Sequence, residues 1–224
     1  MHQTANVDIP ARHLVLDVEG VTTAPIVPRN SYEIAGKKIF VFDDVFDEQF
    51  VDNFGIFLLR RDYQLRPSIN NELSSGVTAE LLESLPALPH AMNGILEHYY
   101  PQMTSTPAPQ AISHGYAAAL RFGDSGTVHQ DTLCEDCATF LYYGNLSWNG
   151  EWGGETVFYD EEMSAAACVT PKPGRIVLFN SVLHHRAGTP IRECPTFRYA
   201  ISIFYRCERM MGNGAPRSEA DGPT

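Results

Sequence analysis

The chain sets His129 and Asp131 on either side of Gln130, with His185 a further 54 residues beyond Asp131 (185 minus 131) and Arg198 another 13 beyond that (198 minus 185). On an extended strand, residues i and i+2 project to the same side, so His129 and Asp131 reach one point while Gln130 faces away. His185 joins them only if a second strand is folded alongside the first. Two imidazoles and one carboxylate suit a borderline ion such as Fe(II), held on one face with the opposite face open to chemistry, whereas structural zinc usually takes four ligands, often thiolates.

The intervening sequence supplies strands. Ala138-Thr139-Phe140-Leu141-Tyr142-Tyr143 reads as one, followed by a turn at Asn145 and by Trp152-Gly153-Gly154-Glu155-Thr156-Val157-Phe158. Pro171-Lys172-Pro173-Gly174 then marks a tight turn into Arg175-Ile176-Val177-Leu178-Phe179, which leads to His184-His185. Arg198 opens the apolar run Tyr199-Ala200-Ile201-Ser202-Ile203-Phe204-Tyr205. A guanidinium in a buried strand is costly unless it meets an anion, and its planar fork matches a carboxylate. A dicarboxylate cosubstrate satisfies that requirement.

The ordered set from Tyr116 to Tyr205 resembles the prolyl-hydroxylase-like branch of the Fe(II)- and 2-oxoglutarate-dependent oxygenases. The resemblance implies a mainly β fold with flanking helices: a double-stranded β-helix (jelly-roll, cupin-like) core supported by N-terminal α-helices. It implies Fe(II), 2-oxoglutarate as cosubstrate and O2, with His129, Asp131 and His185 as the facial triad. Arg198 would pair with the distal carboxylate of 2-oxoglutarate, Tyr143 would hydrogen-bond the same carboxylate, and Thr139 and Ser202 would stand in the pocket wall. No catalytic side chain is implied beyond the iron ligands. Two departures bear on substrate shape: Gly144 sits between Tyr143 and Asn145 where the family often has leucine, and Phe122 stands where tyrosine is common.

His185 rather than His184 is the expected ligand, because it falls six residues after Phe179, as the distal histidine does in the family, and His184 then alternates to the opposite face. Asp131 argues against halogenation, since halogenases of this superfamily carry a small residue there. Hydroxylation of an unactivated C–H bond, with succinate and CO2 as coproducts, becomes the expected reaction. Desaturation or cyclisation on the same scaffold, and a non-catalytic metal-binding sensor, stay as alternatives. The expected substrate is a small molecule or biosynthetic intermediate, with a prolyl or other protein residue as the second reading.

A net charge of -11 argues against a broad nucleic-acid or anionic-membrane surface. No run approaches the roughly 18 apolar residues of a membrane span, and the stretch after Met1 shows no basic start, so a cytoplasmic monomer or homodimer is expected. Five cysteines, an odd number, point to free thiols in a reducing compartment. Cys134-Glu135-Asp136-Cys137 lacks a second pair at zinc-binding spacing, which leaves a structural role or a redox-sensitive loop.

Residues 1–35 are expected to form an arm or edge strand, 36–211 a single oxygenase domain, and 212–224 a flexible tail. Lys38 to Phe46 reads as a strand into a turn; Phe50, Val51, Phe54, Phe57 and Leu58 fit an amphipathic helix starting at Asp47, and a second helix is expected around Leu88 to Tyr99. The polar stretch Arg60 to Glu72 reads as a solvated loop or a lid over the barrel mouth, with Ser74-Ser75-Gly76 flexible.

Overall fold

The structure, a computed structural model, describes residues 19–65, 73–76, 87–103, 111–124 and 126–206. Eleven strands are described: β1 (Asn30–Ile34), β2 (Lys37–Phe42), β3 (Gln64–Leu65), β4 (Leu73–Gly76), β5 (Ala111–Leu120), β6 (Ala138–Tyr143), β7 (Thr156–Tyr159), β8 (Ala165–Val169), β9 (Ile176–Asn180), β10 (His185–Ala187) and β11 (Arg198–Arg206). Helix α1 spans Glu48–Leu59 and α2 spans Ala87–Met103. Eight strands form one antiparallel sheet in the order β1-β2-β9-β6-β11-β5-β4-β3, and β10-β7-β8 form a second, smaller sheet. A bridge between His129 and His185 adds the H-x-D segment to the edge of the smaller sheet. This is the two-sheeted jelly-roll core with helices outside it.

The central strand β6 shows why the segment reads as apolar throughout. All six of its residues are buried, because both faces of the large sheet are covered. Phe140 and Tyr142 face the helices, packing with Phe54, Leu58, Ile95 and Tyr99. Leu141 and Tyr143 face the smaller sheet, packing with Phe158, Val169 and Phe179. The Asp47 carboxylate accepts from the Phe50 backbone N–H at 2.7 Å and caps α1, an arrangement worth about 1 kcal/mol.

The strand expected to run into a turn spans Lys37–Phe42, and Asp44 takes a left-handed backbone (φ 58°) that turns the chain. Two boundaries differ from expectation. The second helix runs on from Tyr99 to Met103. Ser74-Ser75-Gly76, expected to be flexible, lies in β4 (Leu73–Gly76), which pairs with β5, Ser74 opposite Ala118 and Gly76 opposite Tyr116. The reason is backbone satisfaction: β5 would otherwise leave a row of N–H and C=O groups at a sheet edge. The expectations for residues 66–72 and for the tail 212–224 lie outside the described residues.

Candidate metal centre

His129, Asp131 and His185 converge, their ligand atoms all within 4.8 Å of one another. His129 Nε2 lies 3.5 Å from Asp131 Oδ1, and His185 Nε2 lies 3.7 Å from Asp131 Oδ2. The convergence is built by backbone pairing: His129 and His185 exchange N–H to O bonds at 2.9 Å, and the Asp131 N–H donates to Ser181 O at 3.0 Å. The Nδ1 of His129 is 2.9 Å from Thr127 O, and that of His185 is 2.9 Å from Leu183 O. A carbonyl only accepts, so each ring carries its proton on Nδ1 and turns an unprotonated Nε2 toward the carboxylate. Two lone pairs and a carboxylate aimed at one point repel unless a cation stands among them. The donor set therefore fits a divalent ion such as Fe(II).

The electrostatics agree. Burial alone would raise the Asp131 carboxyl, but the facing imidazoles of His129 and His185 and the Thr139 hydrogen bond outweigh it and hold the group below its usual range. His185 is pushed down, first by burial and against the pull of Asp131, which keeps its imidazole neutral. Asp131 and His185 side chains are 6% and 9% exposed while that of His129 is 34% exposed, so the cluster opens on the His129 side.

A narrow cavity of about 40 Å³ runs inward from the two histidines and is lined by Thr156, Arg198, Ala200 and Ser202 among others. Arg198 is 2% exposed. Its Nε donates to Gly154 O at 2.7 Å and one terminal nitrogen donates to Thr156 Oγ1 at 3.0 Å, while its guanidinium lies 5.0 Å over the Tyr143 ring. Among the described residues no carboxylate forms an ion pair with it, so a buried cation faces the cavity without an anion. Gly154 has φ +78°, and a Cβ there would meet Trp148 Cζ2 at 2.8 Å and Arg198 Cδ at 3.3 Å, which explains the glycine beneath the guanidinium.

The remaining expected site residues divide. Ser202 lines the cavity. Thr139, expected in the pocket wall, lies beneath the metal cluster instead: its hydroxyl donates to Asp131 Oδ2 at 2.6 Å and meets Ser181 Oγ at 2.9 Å. Tyr143 stands behind Arg198, its hydroxyl 2.6 Å from Thr156 Oγ1 and 3.2 Å from Val169 O. His184 turns away, lining an outer cleft with Tyr159 and Gln130. Cys134 and Cys137 are joined across a turn, Cys137 N donating to Cys134 O at 3.2 Å.

Thr156 was not anticipated, although it links Tyr143 to Arg198. The available signal was parity: Thr156 shares the inward face of β7 with Phe158, a polar residue at a core position. Ser181, which supports both Asp131 and Thr139, sits at the end of β9 and carried no pattern.

Residues 117–206 match the model of the 2OG-Fe(II) oxygenase superfamily. Among curated proteins no match was found. Solved structures share the fold. A prolyl hydroxylase from Trichoplax adhaerens, in complex with a hypoxia inducible factor oxygen degradation domain peptide fragment, is 18% identical with a TM-score of 0.63, covering 80% of this chain and 87% of its own. A Pseudomonas putida prolyl-4-hydroxylase is 16% identical with a TM-score of 0.58, covering 75% and 92%. HygX from Streptomyces hygroscopicus, with nickel and 2-oxoglutarate bound, is 15% identical with a TM-score of 0.54, covering 75% and 82%. No described helix is long and apolar enough to cross a membrane.

Proposed function

We propose that this 2OG-Fe(II) oxygenase domain hydroxylates an unactivated C–H bond of a small molecule or biosynthetic intermediate, with residues 36–211 as one catalytic unit and β1 as its edge strand. The observation that carries the reading is the buried Arg198, unmatched by any described carboxylate, at the inner end of a cavity whose outer end is the His129, Asp131 and His185 cluster. Along β10 two residues separate the His185 level from the level where Ala187 pairs with Thr156, about 7 Å. That is the reach of a five-carbon dicarboxylate, with one end at the metal and the other at Arg198 and Thr156.

In this reading His129, Asp131 and His185 would hold Fe(II), which with 2-oxoglutarate and O2 would supply the oxidising chemistry, with succinate and CO2 as coproducts. Arg198 and the Thr156 hydroxyl bind the distal carboxylate, Tyr143 orients Thr156, and Ser202 borders the cosubstrate. Phe158 and Phe179, whose rings lie 5.7 Å and 4.8 Å from that of His185, exclude water from its buried side. Asp131, the carboxylate that halogenases of this superfamily replace with a small residue, argues against halogenation.

A protein residue as substrate is the second reading, favoured by the likeness to a prolyl hydroxylase that carries a peptide. The test of the cosubstrate site is anaerobic titration of the metal-free protein with Fe(II) and then 2-oxoglutarate, read by the visible charge-transfer band of the chelate. The band is expected in the wild type and lost at the same concentrations in Arg198→Met. Its absence from the wild type with iron bound would overturn the reading.

A further inference from the structure

We propose that Trp148 is a positioning residue for Arg198: it fixes the Gly153-Gly154 turn whose carbonyl sets the plane of the guanidinium, and through it the preference for a cosubstrate with a distal carboxylate. The proposal rests on Arg198 binding that carboxylate and adds what holds Arg198 in turn.

Three contacts fix the Arg198 side chain. Two come from strands: Thr156 Oγ1 on β7 accepts a terminal N–H at 3.0 Å, and the Tyr143 ring on β6 lies 5.0 Å from the guanidinium carbon. The third is the bond from Nε to Gly154 O at 2.7 Å. A guanidinium is a rigid planar fork that meets a carboxylate with two parallel bonds, so the acceptor that aims Nε–H sets the plane in which the fork works. That acceptor belongs to a turn of two glycines, with φ +72° at Gly153 and +78° at Gly154. Glycine has the most backbone freedom to lose, and the Gly154 carbonyl has no side chain of its own to place it. Its position comes from its neighbours.

Trp148 supplies one side. Its Nε1 donates to Gly153 O at 3.1 Å and pins the peptide that precedes Gly154. Its ring edge lies against the Gly154 backbone, where a Cβ would stand 2.8 Å from Cζ2 and 3.5 Å from Cη2. The loop after β10 supplies the other side, with the Gly188 N–H donating to Glu155 O at 2.7 Å and the Ile191 N–H to Trp152 O at 2.8 Å. Trp152 ends the short 3-10 turn Gly150–Trp152 and meets the Trp148 ring edge-on, with centroids 5.6 Å apart at 82°. Trp148 belongs to neither apolar cluster of the described core and is not among the described residues lining the cavity. Its donor and its ring edge both go to the glycine turn.

The test is anaerobic titration of the Fe(II)-loaded full chain with 2-oxoglutarate and with 2-oxopentanoate, which carries a methyl group in place of the distal carboxylate. Both acids chelate through the same end, so the ratio of their affinities reads Arg198 alone. The wild type is expected to prefer 2-oxoglutarate about 10- to 100-fold. Trp148→Phe, which loses the donor, should narrow that preference about 3- to 10-fold while the affinities for 2-oxopentanoate and for Fe(II) stay unchanged. Trp152→Leu, which removes the ring behind the indole, should narrow it about 2- to 5-fold and decides the matter if Trp148→Phe does not fold. A preference kept in full, or a loss shared equally by both acids and by Fe(II), would overturn the proposal. A wild type that binds the two acids alike would instead overturn the cosubstrate reading, and the proposal with it.

Discussion

Thr139 donates its hydroxyl to Asp131 Oδ2 at 2.6 Å, from a strand eight residues along the chain and on the opposite side of the metal cluster from the solvent. The bond fixes the carboxylate plane so that Oδ1 faces His129 and Oδ2 faces His185. Thr139→Val keeps the shape and removes the bond. Outer partners of metal ligands typically matter by 10- to 100-fold in affinity, so Fe(II) binding measured by anaerobic titration should weaken by about tenfold or more. Thr139→Ser should restore it. Equal affinity in Thr139→Val would make the contact structural only.

Tyr143 and Thr156 act on Arg198 as a unit. The Tyr143 hydroxyl meets Thr156 Oγ1, which accepts from Arg198. Tyr143→Phe and Thr156→Val should each raise the 2-oxoglutarate concentration needed for half-saturation, Thr156→Val more strongly because it also loses the direct bond to Arg198. The double variant should fall short of the product of the two single effects, since residues of one network do not add. Fully multiplicative effects would separate the two residues.

The adjacent tyrosine predicts the opposite outcome. Tyr142 points to the helices, where its ring meets Phe54 at 5.1 Å and Phe46 at 5.8 Å, and its buried hydroxyl has no hydrogen-bond partner among the described residues. Burial pushes its phenol well above the ordinary value. Tyr142→Phe removes an unsatisfied polar atom at almost constant volume, so stability should be unchanged or rise by about 1 kcal/mol. A Tm lowered by several degrees would show that the hydroxyl has a partner.

These tyrosines show how far the chain could be read in advance. Alternation along Ala138–Tyr143 separates them by face, and the H-x-D step with His185 and Arg198 is legible because ligand chemistry restricts residue type. Thr139 was visible as an inward-facing polar residue, but its partner was not, because register between β6 and the Asp131 loop is set by pairing to Ser181, 42 residues beyond Thr139. The ring contact between His114 and Phe204 is likewise a property of register: the two residues lie 90 residues apart (204 minus 114) and meet only through β5 and β11. Strand β4 escaped notice because its Ser-Ser-Gly composition resembles a loop, and its pairing answers a need of β5 instead of its own propensity.

Asp43 gives the fold an acid limb. Arg175 reaches both its oxygens, Nε to Oδ1 at 2.7 Å and a terminal nitrogen to Oδ2 at 2.9 Å, and Lys172 lies at 3.3 Å. The Asp43 side chain is 4% exposed. Burial alone would raise its carboxyl, but the hydrogen bond and charge of Arg175, then Lys172, outweigh it and hold the group below the usual range. The pair also bears on the site, because the Arg175 carbonyl accepts from the Tyr143 backbone N–H at 2.9 Å. Asp43→Asn leaves the partly buried Arg175 guanidinium without its anion and should cost about 1 to 3 kcal/mol at neutral pH. With a folded pKa below the unfolded value of about 3.9, the stabilisation is fully present above that value and is lost as pH falls through the folded pKa. Urea unfolding at a series of pH values should therefore give a constant gap between wild type and Asp43→Asn from about pH 5 to 8, closing below about pH 4. A gap that persisted undiminished down to the lowest pH at which both proteins fold would mean that the contribution of Asp43 is packing and not charge.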